Sequence, residues 1–260
     1  MGDDRIRSQR LQRYEAKYVI TEAQAAQIRR YCVDYLPPDS HSAGQPGNEY
    51  PVVSMYLDSP SQVLLQQTLA KQMNRFKLRI RTYRKCTVPS TGLPAFFEIK
   101  RKANGVVHKT RAQVEPTVAE SLLWNEDAPF DGSTERGAAA RMRVNEFQGL
   151  RRRLGAVPVV GTFYMREAYE GVSAERTRIT LDRNLHYGIP APPGSRQREI
   201  WWQVDHGGVI LEVKFDNTYP FWVGDMLRHV EVLRRGVCKY VICCRAAGIP
   251  LAREVDQGTL

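Results

Sequence analysis

The sequence has little of what a membrane, secreted or metal-thiolate protein needs. No apolar run approaches the roughly 18 residues that cross a bilayer, so no transmembrane segment is expected. The opening MGDDRIRSQRLQRYEAKY has no apolar stretch behind its charges and does not read as a secretory leader. Its five cysteines, Cys32, Cys86, Cys238, Cys243 and Cys244, are odd in number and form no C-x-x-C pair. That excludes a simple disulfide framework and a cysteine-rich zinc site, and predicts a cytoplasmic chain with reduced thiols. The histidines His41, His108, His186, His206 and His229 are scattered without ligand spacing. Negative charge is also short: 28 Asp and Glu against 38 Lys and Arg leave a net charge of +10, which implies an anionic partner without identifying it. With 42% hydrophobic and 25% charged residues the chain is ordinary globular material rather than disordered or coiled-coil. No repeat, low-complexity tract or linker divides it, so a single domain over residues 1–260, with a core from about 13 to 244, is expected.

What the chain does have is alternation. Arg13, Glu15 and Lys17 share one side of a strand, with Tyr14, Ala16 and Tyr18 on the other. Thr21 to Gln24 reads as a capping box opening a helix through about Leu36, which Pro37 and Pro38 stop. A strand from Val52 to Asp58 and a short helix around Pro60 to Leu69 follow. Arg75, Lys77, Arg79 and Arg81 then alternate with Phe76, Leu78 and Ile80. Ala95 to Lys102 and Val107 to Val114 form two strands around Asn104-Gly105, a hairpin signal. Helices are expected at about Thr117–Trp124 and Gly137–Leu154, the second ending in Arg151, Arg152 and Arg153. Those cations suit a helix C-terminus, with an acidic-partner patch as the alternative. Strands resume at Val159–Tyr169, Arg176–Asp182 and Val209–Phe215, with a Pro/Gly-rich loop at Ile189–Ser195. A helix from Phe221 to about Arg235 and a last short strand near Lys239–Cys244 end the pattern. Trp201-Trp202 reads either as packing or as a loop anchor.

On any one strand, a charged face is most simply a solvated face of an antiparallel sheet. Taken together the faces collect cations. Lys17, Lys77, Arg79, Arg81, Lys100, Lys109, Arg111, Arg166, Arg178 and Lys214 share them with few in-phase acids, Glu15, Glu98 and Glu212. So many like charges repel unless a polyanion neutralises them. The helices need apolar surface to cover, and the other strand faces supply it. These demands close on an α+β architecture, an antiparallel β-tunnel with helices packed outside and charge inside. A cation-lined tunnel suits triphosphate or polyphosphate. The few carboxylates would then hold a hard divalent cation, Mn²⁺ or Mg²⁺.

The segments RYEAKY, NRFKLRIRTY, FFEIKRK, HKTR, YMREAY, RTRITLDRNL, ILEVKF and CKY resemble, in this order, the VTC domain, the polyphosphate polymerase domain of the vacuolar transporter chaperone complex. The resemblance spans roughly Arg13 to Cys244. It implies the eight-stranded antiparallel tunnel of the triphosphate tunnel metalloenzymes. It also implies phosphate contacts from Lys17, Arg79, Arg81, Lys100, Lys109 or Arg111, Arg166, Arg178 and Lys239. Glu212 resembles the metal-ligand glutamate, with Glu15 and Glu98 as second carboxylates, and alternation adds Lys214 to the substrate-binding set. Where the superfamily opens with Glu-x-Glu-x-Lys, this chain has Arg13-x-Glu15-x-Lys17, which favours the polymerase branch.

The implied reaction is metal-dependent transfer of the ATP γ-phosphate to a growing polyphosphate chain, with polyphosphate or pyrophosphate as the other ligand. The attacking phosphate oxygen is already anionic and needs no general base, whereas hydrolysis needs one to activate water. The alternatives are an inorganic or nucleoside triphosphatase on the same tunnel and a non-catalytic polyanion-binding module. Nucleic acid is not expected as a partner, because RNA binders interleave exposed aromatics on one sheet.

Overall fold

The structure is a computed structural model that describes residues 13–83, 93–104, 106–125, 130, 135–171, 177–192, 200–216, 220–232 and 236–250. Gly105, Arg176, the end of the 189–195 loop and the end of the expected 221–235 helix lie outside the described residues, as does the side chain of Arg13.

Strands β1 (Arg13–Ile20), β2 (Glu49–Asp58), β3 (Arg75–Tyr83), β4 (Ala95–Ala103), β5 (Val106–Val114), β6 (Val157–Glu170), β7 (Arg178–Gly188) and β9 (Val209–Asp216) form one antiparallel sheet in the order β1-β9-β7-β6-β2-β3-β4-β5. A three-residue strand, β8 (Trp201–Gln203), pairs with β7 off this path. The sheet curls until its two ends approach. Lys100 Nζ on β4 lies 2.7 Å from Glu15 Oε2 on β1, so charge rather than backbone hydrogen bonding links the ends. The expected eight-stranded antiparallel architecture with outer helices is therefore present, and the short β8 is a strand that the alternation did not reveal.

Each strand's apolar face points outward under helices. Helix α1 (Glu22–Tyr35) and α5 (Phe221–His229) cover β1, β7 and β9 through Ile28, Cys32, Val223 and Met226 against Tyr18, Leu181, Leu211 and Val213. Helix α3 (Pro116–Trp124) and α4 (Glu135–Leu154) cover β3, β4 and β5 through Leu122, Val144 and Phe147 against Leu78, Phe97 and Ile99. The capping box forms: Gln24 N donates to Thr21 Oγ1 at 3.1 Å, and Gln24 Oε1 accepts from Thr21 N at 3.0 Å. The β4–β5 hairpin pairs Ala103 with Val106, and Asn104 takes the positive φ (48°) that a two-residue turn requires. Arg151, Arg152 and Arg153 stand in the last turn of α4, as expected, and Arg151 has a further role. It is buried and donates to the carbonyls of Leu122, Leu123 and Ala156, closing the C-terminal end of α3. Trp201 packs face-on against β6 and β7, where a Cβ at Gly161 would come within 2.8 Å of its ring and one at Gly188 within 3.0 Å.

One expectation is corrected. Lys239–Cys244 is not a strand but the body of helix α6 (Lys239–Ala246). Its β-branched and aromatic residues favour a strand locally, yet Tyr240, Val241, Cys243 and Cys244 are buried with helical spacing. They pack with Val160, Leu185 and Ile210 on interior-facing strand positions, and Tyr240 stacks on Tyr56 at 4.7 Å. Asp58 fixes this arrangement by accepting from the Tyr240 hydroxyl at 2.7 Å and from the N-terminal amides of Leu64 and Leu65 in α2 (Val63–Leu69). Helix α6 thus fills one end of the curl with apolar side chains. The expected helix beginning at Phe221 is shorter and lies outside, on the α1 side. No helix among the described residues is long and apolar enough to cross a membrane.

Candidate functional site

Period-two geometry brings the interior-facing residues together. In register, Lys17 on β1 pairs with Glu212 on β9, Glu15 with Lys214, and Arg178 on β7 with Lys214. Glu212 is the hub. Its Oε1 lies 3.0 Å from Lys17 Nζ and 3.0 Å from Lys239 Nζ, and its Oε2 lies 2.9 Å from Lys214 Nζ and 3.9 Å from Arg166. Lys17 also reaches Glu15 at 3.1 Å, and Glu15 binds Lys100. Asp182 completes this cluster, taking a bidentate pair from Arg166 at 2.6 and 2.7 Å and Lys239 at 2.5 Å.

A second cluster lies on the opposite wall. Glu98 on β4 is fully buried and binds Arg79 at 2.7 Å, Lys109 at 2.5 Å and, more distantly, Arg111 at 3.5 Å. Arg79 also donates to the Tyr56 hydroxyl at 3.3 Å, and the Arg111 guanidinium lies over the Phe96 ring at 3.5 Å. Arg81, on β3 beside them, has only neutral hydrogen-bond partners among the described residues: it donates to Ser54 Oγ at 2.9 Å and the Tyr164 hydroxyl at 3.2 Å. Arg178 stands at the end away from α6 and meets Asp39 at 2.7 Å and Glu170 at 2.9 Å.

The electrostatics follow from this geometry. Burial pushes the Glu212 carboxyl up, but Lys17, Lys214 and Lys239 pull it well below the usual carboxylate range. Glu15 is likewise raised by burial and lowered further by Lys17 and Lys100, and Glu98 by Arg79, Arg81 and Lys109. All three stay ionised. Some cations are less well served. Burial and repulsion from Lys17 and Lys214 hold Lys100 down at about 8 despite Glu15, and burial and Arg79 hold Lys109 at about 8 despite Glu98. Burial raises the Tyr83 hydroxyl, but Arg81, Lys109 and Arg111 bring it down to about 7. The interior is short of negative charge.

Every expected site residue faces this interior, but the three glutamates divide. Glu15 and Glu212 share Lys17, whereas Glu98 belongs to the other wall. Among the described residues no three His, Cys, Asp or Glu side chains form a metal-holding group. Two adjacent carboxylates do fit a divalent ion whose remaining ligands are phosphate and water oxygens, the usual arrangement for Mg²⁺. Asp182 and Tyr164 were missed as site residues. Asp182 was legible, since it shares the Arg178 and Thr180 face. Tyr164 carried no such signal, because a tyrosine among apolar residues reads as core. The described cysteines, Cys32, Cys238, Cys243 and Cys244, are free thiols.

The VTC domain family model matches residues 12–247. No curated protein sequence is matched by the chain. Among solved structures, the PH1819 protein of Pyrococcus horikoshii OT3 is similar at 14% identity over 90% of this chain and 99% of that one, with a TM-score of 0.47. The HpAC1 protein of Hippeastrum, described as having a dominant triphosphatase activity, is similar at 14% identity over 93% and 98%, with a TM-score of 0.49.

Proposed function

The chain belongs to the VTC-domain family, and we propose that it is a polyphosphate polymerase that moves the γ-phosphate of ATP onto a polyphosphate chain and releases ADP. The observation that carries this reading is the state of the interior carboxylates. Glu15, Glu98, Asp182 and Glu212 are all bound by cations and held ionised as weak bases. Such groups are poorly suited to take a proton from water, and a phosphate nucleophile has no proton to give. The surrounding cations suit the remaining task, which is to position phosphates and offset charge.

In the proposed reaction an oxygen of the chain end forms a bond to the γ-phosphorus as the bond from that phosphorus to the β–γ bridging oxygen breaks. The electron pair leaves with ADP. Arg81 faces the interior, feels Glu98 without a direct ion pair and forms none with any other described carboxylate, so it suits the growing charge on the leaving group. Lys17, Lys214 and Lys239 exchange their hold on Glu212 for phosphate oxygens. Lys100 and Lys109, costly to keep charged in this buried, cation-rich interior, gain a further partner when the anion enters. Glu15 and Glu212 are the residues that would hold Mn²⁺ or Mg²⁺, which when bound neutralises phosphate charge.

The test is incubation of the purified protein with ATP and Mn²⁺, followed by ³¹P NMR. A growing internal phosphoanhydride signal alongside ADP is expected. Orthophosphate without that signal would assign the same tunnel to triphosphate hydrolysis, and binding of polyphosphate with no turnover would leave a polyanion-binding module.

A further inference from the structure

The interior side chains of β7 are Arg178, Thr180 and Asp182 in alternation, with Ile179 and Leu181 in the outer core. Arg178 is ion-paired with Asp39 and Glu170, and Asp182 with Arg166 and Lys239, whereas no described residue engages the Thr180 hydroxyl. Thr180 is completely buried, and its Oγ1 has no hydrogen-bond partner. In register it faces Ala168 on β6 and Glu212 on β9. Ala168 has nothing to offer, and Glu212 turns one oxygen to Lys17 and Lys239 and the other to Lys214, without a hydrogen bond from Thr180 Oγ1. Buried hydroxyls are nearly always partnered, so an orphan calls for a reason. Packing does not supply one, because valine fills the same space in a strand without burying a polar group. One step along the same face, Arg178 Nε is also buried without a partner, and Arg178 lies in register with Lys214.

We infer that Thr180 is a phosphate-binding residue whose Oγ1 donates a hydrogen bond to a non-bridging oxygen of a phosphate seated between Arg178 and Lys214. This rests on reading the interior as a phosphate tunnel, and holds whether the phosphate passes to another phosphate or to water. The arriving anion competes with Glu212 for the Lys214 ammonium. As that ammonium turns from Glu212 to the phosphate, the anion reaches the strand position next to it on the same face, where Thr180 stands beside Glu212. A neutral donor here adds direction to a site otherwise built from point charges, because one O–H accepts only one orientation of the phosphate oxygen.

Calorimetric titration of the full chain with tripolyphosphate, at low and high salt, tests this with Thr180→Val and Thr180→Ser. Thr180→Val is expected to weaken binding at least about tenfold, as for the loss of one hydrogen bond to a charged acceptor, by a similar factor at both salt concentrations. The melting temperature of its ligand-free form should not fall, since an unpartnered hydroxyl is replaced by a methyl. Thr180→Ser should bind like the wild type. Unchanged affinity in Thr180→Val overturns the inference. So does a loss that Thr180→Ser fails to restore, or one that comes with a lower melting temperature, because either makes the role structural. Failure of the wild type to bind tripolyphosphate overturns the tunnel reading and the role of Thr180 together, and is visible before any substitution is made.

Discussion

The two walls of the interior use the same residue types differently. On the wall made by β1, β9, β7 and β6, Glu212, Glu15 and Asp182 stand close together and share Lys17, Lys239 and Arg166. On the wall made by β3, β4 and β5, one buried carboxylate, Glu98, gathers Arg79, Lys109 and Arg111, while Arg81 forms no ion pair with an acid among the described residues. The first wall can offer a metal two neighbouring carboxylates. The second can offer an anion an uncommitted guanidinium. Counting charges along strands does not reveal this division, because it depends on which side chains meet across strands.

Glu212→Ala is the harshest test of the contrast. It leaves Lys17, Lys214 and Lys239 buried without their shared partner, so stability should fall by about 3–5 kcal/mol, read as a lower urea midpoint. The conservative Glu212→Gln, which keeps the shape, should still lose metal-dependent turnover by about 100-fold or more in a coupled ADP assay. Substantial turnover in Glu212→Gln would remove Glu212 from the metal-binding wall.

The corresponding change on the other wall should act differently. Glu98→Gln should keep metal-dependent turnover and bind tripolyphosphate at least as tightly as the wild type, because Arg79, Lys109 and Arg111 lose a competing anion. If metal dependence vanished in Glu98→Gln, the two walls would have to be merged into one metal site. Within that wall, Arg81→Ala should weaken tripolyphosphate binding by about 1.5–3 kcal/mol, as expected for a charge-assisted hydrogen bond. Arg79→Ala should cost less, since Glu98 already holds that guanidinium. Equal losses by calorimetry would show that Glu98 does not compete.

The smallest expected effect is protonic. Burial holds Lys100 and Lys109 down at about 8, and a bound polyanion raises both. Binding at pH 8 should therefore take up protons, and affinity should fall as pH rises beyond 8. Titrations in buffers of different ionisation enthalpy measure this uptake, and Lys100→Arg, which keeps the charge without titrating, should reduce it. The carboxylates act in the opposite range. Glu15, Glu98, Glu212 and Asp182 are all held below their ordinary values, so the stability they contribute is present above about pH 4.5, near the usual glutamate range, and is lost as pH falls through their lowered values. Acid unfolding followed by fluorescence would show it as a midpoint that moves upward in Glu98→Gln.

Much of this was readable from residues alone, and the physical reason is local. Period two places Lys17, Arg79, Lys100, Arg166 and Glu212 on one face of their strands whatever the strands pair with, and the apolar residues between them must be covered by helices. The capping box at Thr21 and the turn at Asn104 are equally local and formed as expected. Other features were set by contacts far apart in sequence. Lys239–Cys244 has strand-like composition but became a helix because Tyr240 could stack on Tyr56 and bond Asp58, 182 residues away. Strand order and curl decided that Glu98 stands apart from Glu15 and Glu212. They also left the Thr180 hydroxyl, one of many threonines in the chain, without a partner inside a cage of charge. Alternation says which way a side chain points. Only the curled sheet says what it meets there.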